Sequence, residues 1–400
     1  MSRIAVIGQD GSPLSTEATG LLQKAVLVAG GRRHLENLAI DPGRSVLLEG
    51  DVSETLSRIE TESGPVVVLA SGDPGFFGIV RLLARRFGPE NLRVMPAVSS
   101  VALAFARTGI SWDDALTVSA HGREPRRAVN VCRSHPKVAV LTSPDFGPAE
   151  LANELNGLGR TFIVAEKLGS ADERIFCGSG SEICSVEWHD PNVVLVLDEK
   201  RSAAGKGWIS SGIGSRGPWA LSEHEFEHRS GMITKSPTRA FVLSRLGPGP
   251  GDLVWDVGAG SGSVAIECAR LGAAAIAVER DSESCARLGR NAERHGVDVP
   301  VVEGEAPDAL RDLPEPDAVF IGGTGGSFEE TVKQCAVRTR RSVVLALVGL
   351  ERVAQAGRIL EDCGLAVEST FLQASPVKGV GSMNRIVPES AVFVVSGSRT

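Results

Sequence analysis

Short apolar runs alternate with longer amphipathic stretches through both halves of the chain. In the first half the runs that fit strands are Arg3–Ile7, Val66–Ala70, Leu92–Met95, Leu116–Ser119, Lys137–Leu141, Arg160–Ala165 and Val193–Leu197. Helical periodicity falls between them, for example at Thr16–Lys24, Ile79–Phe87 and Ser99–Thr108. Strands that alternate with helices predict an α/β fold, in which helices cover a sheet.

The second half shows the same alternation until its last part. It begins with the stretch Leu221–Gly247, which we predict to be helical. The expected strands are Leu253–Val257, Ala275–Glu279, Val299–Val302, Asp317–Ile321, Ser342–Leu347, Val367–Leu372 and Ala391–Ser396. No helix separates the last two, which is typical of an antiparallel pair closing a parallel sheet. We therefore predict a Rossmann-like, mostly parallel, seven-stranded sheet.

The region between the halves has a different composition. Residues 198–218 are rich in glycine, serine and charge and show no periodicity, which is typical of a linker. The length of 400 residues also favours more than one domain. We predict a first domain at residues 1–200, a linker at 201–218 and a second domain at 219–400.

Composition narrows the functional classes. The formal charge of −7 argues against a nucleic-acid-binding protein with a broad basic face. No apolar run reaches the roughly 18 residues that a membrane-spanning helix needs. The seven cysteines include no CxxC pair, so we expect reduced thiols and no metal site. The first residues carry no basic-then-apolar leader, so we expect a cytoplasmic protein.

The sharpest candidate site follows the first strand of the second half. Asp256, Gly258, Gly260 and Gly262 form a DxGxGxG pattern between that strand and a helix that begins near Ser263. Glycines allow a tight turn and close approach of a ligand, and the helix start offers free N–H groups. An NAD site is the alternative, but an acid two residues before the first glycine suits an aminoacyl ammonium better than a pyrophosphate.

Later residues extend this candidate site. Glu279 ends the next strand, where a carboxylate can hold both hydroxyls of a ribose. Glu305 follows the third strand and could accept a hydrogen bond from an adenine amino group. Gly322 and Thr324 lie in a glycine-rich turn after the fourth strand, which suits a bulky planar substrate. We therefore favour S-adenosylmethionine as the cofactor of this half.

Small-residue loops also follow several strands of the first half. Gly8 follows the first strand, Ser71-Gly72-Asp73 begins SGDPGFFG, Ser99 and Ser100 end PAVSS, and His121 and Arg123 belong to HGR. Each loop alone is a generic turn signal. Together, at the ends of neighbouring strands, they could line one crevice.

The SGDPGFFG, PAVSS and HGR elements resemble those of the tetrapyrrole methylase family, which implies a two-lobed tetrapyrrole methylase fold for the first half. ITK, WDVGAGSGSVAIE, GEAPDAL and PDAVFIGGTGG in the second half are similar to the decarboxylating precorrin methyltransferases. The whole chain thus resembles the family of fused precorrin-6Y C5,15-methyltransferases (decarboxylating). The resemblance implies methylation of precorrin-6B at C5 and C15 with decarboxylation of the C12 acetate, giving precorrin-8 in cobalamin biosynthesis. It also implies S-adenosylmethionine contacts at Gly8, Ser71, Gly72, Asp73, Ser99 and Ser100, and a homo-oligomer.

A tetrapyrrole substrate needs cations for its carboxylates. The candidates are Lys235 and Arg239 in the second half, with Thr324 nearby, and His121 and Arg123 in the first. No Ser-His-Asp or Cys-His constellation is evident, so no catalytic side chain is assigned. The first loop reads GQDGS, unlike the GIGPG-like loop of the family. The alternative is a methyltransferase for another corrinoid or an unrelated substrate, with one half serving only for binding or regulation.

Overall fold

The protein is described here from a computed structural model, which covers residues 3–201, 218–229, 231–323, 325–381 and 383–399. These residues form two compact units. One contains the residues up to Arg123 together with Ala139–Leu197, and the other contains Glu124–Val138 together with the residues from Asp198 onward. The predicted linker at 201–218 lies almost entirely outside the described residues. Within the described ranges, no helix is both long and apolar enough to cross a membrane.

Two five-stranded sheets build the first unit, apart from the first two residues of β7. The first sheet is parallel, in the order β3-β2-β4-β1-β5, with β1 (Ile4–Gln9), β2 (Leu27–Gly30), β3 (Ser45–Leu47), β4 (Val66–Ser71) and β5 (Leu92–Met95). The second has the order β6-β7-β10-β8-β9, with β6 (Leu116–Ser119), β7 (Lys137–Leu141), β8 (Thr161–Glu166), β9 (Arg174–Ser179) and β10 (Asn192–Leu197). All seven predicted strands are confirmed. The structure adds β2, β3 and β9, which are short or largely exposed and so lack a clear apolar pattern.

Helices cover the parallel sheet on both faces. The helices up to β10 are α1 (Thr16–Lys24), α2 (Arg32–Asn37), α3 (Ser53–Thr61), α4 (Val80–Phe87), α5 (Ser100–Thr108), α6 (Pro125–Ser134), α7 (Pro148–Glu154) and α8 (Gly180–Cys184). Ile4 and Val6 of β1 enter one apolar cluster, and Ala5 and Ile7 enter another. Because β1 is buried on both faces, its sequence is a continuous apolar run.

The second unit contains a seven-stranded sheet in the order β13-β12-β11-β14-β15-β19-β16. Its strands are β11 (Leu253–Val257), β12 (Ala274–Glu279), β13 (Val301–Glu303), β14 (Ala318–Ile321), β15 (Ser342–Leu347), β16 (Ala366–Leu372) and β19 (Val392–Ser398). Pairing is parallel from β13 to β15, and β19 is antiparallel to both β15 and β16. A separate hairpin, β17 (Val377–Val380) and β18 (Met383–Ile386), precedes β19. The predicted mostly parallel sheet is thus mixed at one edge.

The helices of this unit follow the strands in turn: α9 (Ser236–Leu246), α10 (Ser263–Arg270), α11 (Ser282–Arg294), α12 (Phe328–Arg338) and α13 (Leu350–Asp362). The prediction of one helix over Leu221–Gly247 is wrong for its first part, where the described residues form a short 3-10 turn at Glu223–Glu225. Gly231 has a φ of 76°, which ends any right-handed helix there. Pro237 then lies in the first turn of α9, a favoured position.

Candidate functional site

The three glycines of the DxGxGxG pattern all have positive φ, but each meets different surroundings. We call residues 258–262 the glycine loop. A Cβ on Gly258 would lie 2.3 Å from the carbonyl oxygen of Gly323, and one on Gly262 would lie 2.3 Å from Cγ of Leu288. A Cβ on Gly260, where φ is 55°, would meet nothing within 4 Å. The absence of a side chain at Gly258 and Gly262 therefore allows close packing against Gly323 and Leu288, whereas Gly260 faces open space.

Asp256 lies behind the glycine loop. Its side chain is buried, and Oδ2 accepts a hydrogen bond from the backbone N–H of Ala265 at 2.9 Å. Oδ1 is buried without a hydrogen-bond partner in the described structure. Burial raises the pKa of the Asp256 carboxyl to about 7, and the charge of Glu279 acts in the same direction. Asp256 thus holds the start of α10 against β11.

Glu279 and Glu305 lie on the accessible side of the same loop. Glu279 ends β12 and accepts hydrogen bonds from the backbone N–H groups of Gly260, at 2.8 Å, and Asp281, at 3.0 Å. Glu305 is exposed and forms an ion pair with Arg280 at 3.2 Å. Both carboxylates keep free lone pairs for a ligand, because a carboxylate accepts up to about four hydrogen bonds.

A cavity of about 1170 Å³ opens at the carboxyl ends of the central strands. Among the predicted residues it is lined by Gly258, Gly260, Glu279, Glu305, Gly322 and Lys235. Asp256, Gly262 and Arg239 do not line it, and Thr324 lies outside the described residues. The cavity also reaches Arg229, Arg280 and Lys378, which were not predicted. Within the described ranges, no cluster of metal-binding side chains is found.

The expectation that Arg239 meets a substrate carboxylate is wrong. Its side chain is fully buried and forms an ion pair with Glu267, with Nε 2.8 Å from Oε1. The guanidinium also donates to the carbonyl oxygens of Thr234, at 2.6 Å, and Leu221. Glu267 in turn accepts from the backbone N–H groups of Ala220 and Leu221. The pair therefore anchors the chain that precedes α9.

That preceding chain, residues 219–229 and 231–235, is the approach segment. It supplies Arg229, Met232 and Lys235 to the cavity lining. Asn291 of α11 fixes it, because its amide donates to the carbonyl oxygen of Glu227 at 3.0 Å and its carbonyl oxygen accepts from the N–H of Glu227 at 2.8 Å. The sequence carries no local signal for this, since Asn291 lies within an otherwise ordinary helix.

The predicted loops of the first unit lie together. A Cβ on Gly8 would lie 2.1 Å from the carbonyl oxygen of Gly72, and the N–H of Gly72 donates to the carbonyl oxygen of Gln9 at 2.6 Å. The N–H of Ala97 donates to the same oxygen of Gly72 at 3.3 Å. Ser99 caps α5, its Oγ accepting from the N–H of Ala102 at 3.2 Å, and Ser100 follows it. The ends of β1, β4 and β5 therefore meet at one edge.

Asp10, in the loop that departs from the family pattern, links two of these loops. Its Oδ2 accepts from the N–H of Val98 at 3.2 Å, and its Oδ1 accepts from the N–H of Ser12 at 3.0 Å. Burial acts to raise the pKa of Asp10, but these hydrogen bonds hold it below its ordinary value. The side chain of Asp10 thus holds the altered loop in place.

Ser71 has partners that the sequence did not indicate. Its Oγ lies 2.8 Å from Nε2 of His34 and 3.1 Å from the guanidinium of Arg33. Burial and the adjacent Arg33 lower the pKa of His34 to about 4, so this imidazole is neutral at neutral pH. Asp73 instead bonds within its own turn, accepting from the N–H of Gly75 at 2.8 Å. The unpredicted strand β2 and helix α2 place His34 here.

His121 and Arg123 follow β6 and are exposed. The guanidinium carbon of Arg123 lies 5.3 Å from the ring centroid of Phe77. Arg123 therefore contacts the SGDPGFFG loop, whereas His121 forms no hydrogen bond, ion pair or ring contact with the other predicted residues among the described residues.

Comparison with known proteins gives one family match in each half of the chain. Residues 9–184 match the tetrapyrrole (corrin/porphyrin) methylases, and residues 224–398 match the precorrin methyltransferase domain. The chain is 41% identical over 355 residues to a precorrin-6Y C(5,15)-methyltransferase (decarboxylating) of Sinorhizobium sp, which covers 84% of this chain and 81% of that protein.

Two shorter relatives match about half of the chain each. A cobalt-precorrin-7 C(5)-methyltransferase of Salmonella typhimurium is 34% identical, covering 50% of this chain and all of its own length. A probable cobalt-precorrin-6B C(15)-methyltransferase (decarboxylating) of Pyrobaculum calidifontis is 32% identical, covering 44% of this chain and 94% of its own. The chain is thus a methyltransferase that combines two methyltransferase folds. It belongs to the precorrin-6Y C5,15-methyltransferase (decarboxylating) family.

Proposed function

We propose that this enzyme uses S-adenosylmethionine to methylate precorrin-6B at C5 and C15 and decarboxylates its C12 acetate, giving precorrin-8 in cobalamin biosynthesis. The proposal rests on the two family matches, one in each half of the chain. In both units the predicted ligand-binding loops also meet at the carboxyl ends of the strands. We expect the enzyme to act in the cytoplasm as a homo-oligomer, and light scattering would measure the assembly.

The names of the two shorter relatives suggest which unit carries out each reaction. One is named for C5 methylation and the other for C15 methylation with decarboxylation. We assign C5 methylation to the first unit and the other two steps to the second, because the second unit matches the precorrin methyltransferase domain.

The cavity of the second unit fits the proposed donor. Gly260 leaves an open surface beside the loop, and the carboxylates of Glu279 and Glu305 line the same cavity. S-adenosylmethionine supplies a methyl group on a positively charged sulfonium, and the two carboxylates beside the glycine loop favour such a cation there. Glu279 would hold the ribose, Glu305 the adenine and the glycine loop the aminoacyl group. Asp256, whose buried Oδ1 has no partner, would support that loop from behind.

In the first unit, Gly8, Ser71, Gly72, Asp73, Ser99 and Ser100 would hold a second donor molecule. Their backbone groups meet at the ends of β1, β4 and β5, which is where ligands of open parallel sheets bind.

The protein residues would act mainly by positioning. Holding donor and acceptor in line contributes up to about 7–11 kcal/mol to a displacement of this kind without a nucleophilic side chain. Lys235 and Lys378, both in the cavity lining, would bind carboxylates of the tetrapyrrole. The conjugated macrocycle can accept the electrons released by decarboxylation, so these cations need only orient it.

Mass spectrometry of precorrin-6B after incubation with the full chain and S-adenosylmethionine tests this proposal. We expect two added methyl groups and loss of one carbon dioxide. The Gly260→Val variant should retain the carbon dioxide and lack the methyl group at C15. An unchanged substrate mass with the unmodified chain rules the proposed substrate out.

A further inference from the structure

We propose that Phe76, Phe77 and Arg123 form the surface on which the tetrapyrrole acceptor lies in the first unit. This inference rests on the proposed function and names the acceptor site of its first methyl transfer. The aromatic loop, Pro74–Gly78, follows β4 at the edge where the predicted donor residues meet.

The two phenylalanines are exposed next to each other. Phe76 is 37% exposed and Phe77 39%, and their ring centroids lie 5.0 Å apart in an edge-to-face arrangement. Aromatic residues make up only 4% of the chain. Exposed neighbouring apolar side chains at a ligand edge indicate a surface that is covered when a ligand binds.

The aromatic loop is fixed rather than loose. The N–H of Phe76 donates to the carbonyl oxygen of Asp73 at 3.1 Å, and the N–H of Val80 donates to that of Pro74 at 3.2 Å. Phe77 has a φ of 56°, a left-handed conformation that a bulky residue rarely adopts. Such strain persists only where the surroundings impose it, often at binding sites. The loop therefore presents both rings in set positions.

A guanidinium group accompanies the rings. Arg123 lies over Phe77 at 5.3 Å, whereas Arg33 donates to Ser71, three residues before the loop. Within the described residues, neither arginine forms an ion pair with a carboxylate within 4.0 Å. An apolar surface beside the unpaired guanidinium group of Arg123 matches a flat macrocycle that carries carboxylates at its rim.

The charges favour the acceptor over the donor as occupant. S-adenosylmethionine is positively charged at its sulfonium and ammonium groups, so Arg123, which has no acidic partner, would repel these groups. The tetrapyrrole is a polycarboxylate, and opposite charges across an interface favour its binding.

The test uses the full chain with Phe77→Gly and Arg123→Gln. Glycine accepts the positive φ at position 77, so the first variant removes the ring and relieves the strain. For each variant we expect the KM for the tetrapyrrole in C5 methylation to rise roughly tenfold, the factor that about 1.4 kcal/mol of lost binding produces. The affinity for S-adenosylmethionine should not change. C15 methylation and decarboxylation, in the same tube, report that the rest of the chain is intact.

Trp112→Leu is the matched control. Trp112 is 38% exposed and stacks on Phe105, but it follows α5 at the opposite end of that helix from Ser100. It should leave C5 methylation unchanged. Phe77→Trp should retain most of the activity, because it keeps an aromatic surface.

Three results overturn the inference: an unchanged KM in both variants, weaker donor binding with an unchanged acceptor KM, or an equal loss in the Trp112→Leu control. If the unmodified chain methylates neither carbon, the proposed function fails instead. Binding of a carboxylated porphyrin, followed by its visible absorption, then still tests the surface. We expect the porphyrin to bind at one site in each unit. Phe77→Gly should weaken binding at the site in the first unit, and unchanged binding would contradict the proposed surface.

Discussion

The side-chain amide of Asn291 donates a hydrogen bond to the backbone carbonyl oxygen of Ser261 at 2.9 Å. The same side chain bonds both backbone groups of Glu227. One residue of α11 therefore joins the glycine loop to the approach segment, which carries Lys235. This amide therefore fixes the position of the glycine loop, on the proposed donor side of the cavity, relative to the approach segment, on the proposed acceptor side.

Asn291→Asp should weaken both the fold and the cavity. The carboxylate cannot donate, so it leaves the carbonyl oxygens of Ser261, which is buried, and Glu227 without this donor and facing a negative charge. We expect a loss of at least about 2 kcal/mol in the free energy of unfolding, measured in urea, and weaker donor binding. Asn153→Asp, on the exposed surface of α7, is the control and should change little. Equal stability of the two variants would contradict the linking role.

The glycines of the loop should respond differently to alanine. Gly260→Ala meets no neighbour, so we expect only about 1 kcal/mol of backbone strain and a folded protein with weaker donor binding. Gly258→Ala and Gly262→Ala place a Cβ 2.3 Å from other atoms and should lower the thermal midpoint far more. Calorimetry of the three variants separates these effects. A stable Gly262→Ala protein would show that Leu288 yields easily.

Asp256 should make the second unit less stable as the pH rises. Its pKa is raised from an ordinary 3.8 to about 7, so the folded state holds the proton more tightly than the unfolded state. The resulting stabilisation is complete below pH 3.8 and is lost as the pH rises through about 7. It amounts to on the order of 4 kcal/mol. Urea unfolding across this range should show a smaller decline for Asp256→Asn, and parallel curves would refute the assignment.

Glu267→Gln should be among the more damaging single changes in the second unit. It leaves the buried Arg239 guanidinium without its charge partner, at a cost of about 3–5 kcal/mol. Arg290→Gln breaks the exposed Arg290–Glu227 pair and should cost less than about 1 kcal/mol. Chemical denaturation compares them. Similar losses would mean that burial of the Arg239 pair has little influence.

Asp10→Ala should affect only the methyl transfer of the first unit. It removes the acceptor that ties Val98 and Ser12 to the first loop. We expect loss of C5 methylation with C15 methylation and decarboxylation retained, measured by product mass. Asp51→Ala is the control, because Asp51 accepts from the N–H of Ser53 in the same way at 2.9 Å, away from the site. If Asp10→Ala retains C5 methylation, the loop does not depend on this side chain.

The sequence predicts the strands with strong apolar runs and the glycine loop, since both depend on local residue order. It does not predict Arg239 correctly, because only the fold shows that Glu267 lies opposite and that both side chains are buried. His34 and Asn291 were missed for a related reason: their partners are 37 and 30 residues away in sequence. The short strand β2, which positions His34, has too few residues to show a period.

The position of β19 has a consequence for synthesis on the ribosome. Because β19 lies between β15 and β16, the seven-stranded sheet cannot close until the residues up to Ser398 have emerged. The strands of the first unit, by contrast, are all made once Leu197 is in place. A prematurely terminated chain that lacks β19 would thus contain a complete first unit but would leave one edge of β15 and one edge of β16 unpaired. Unpaired strand edges favour aggregation.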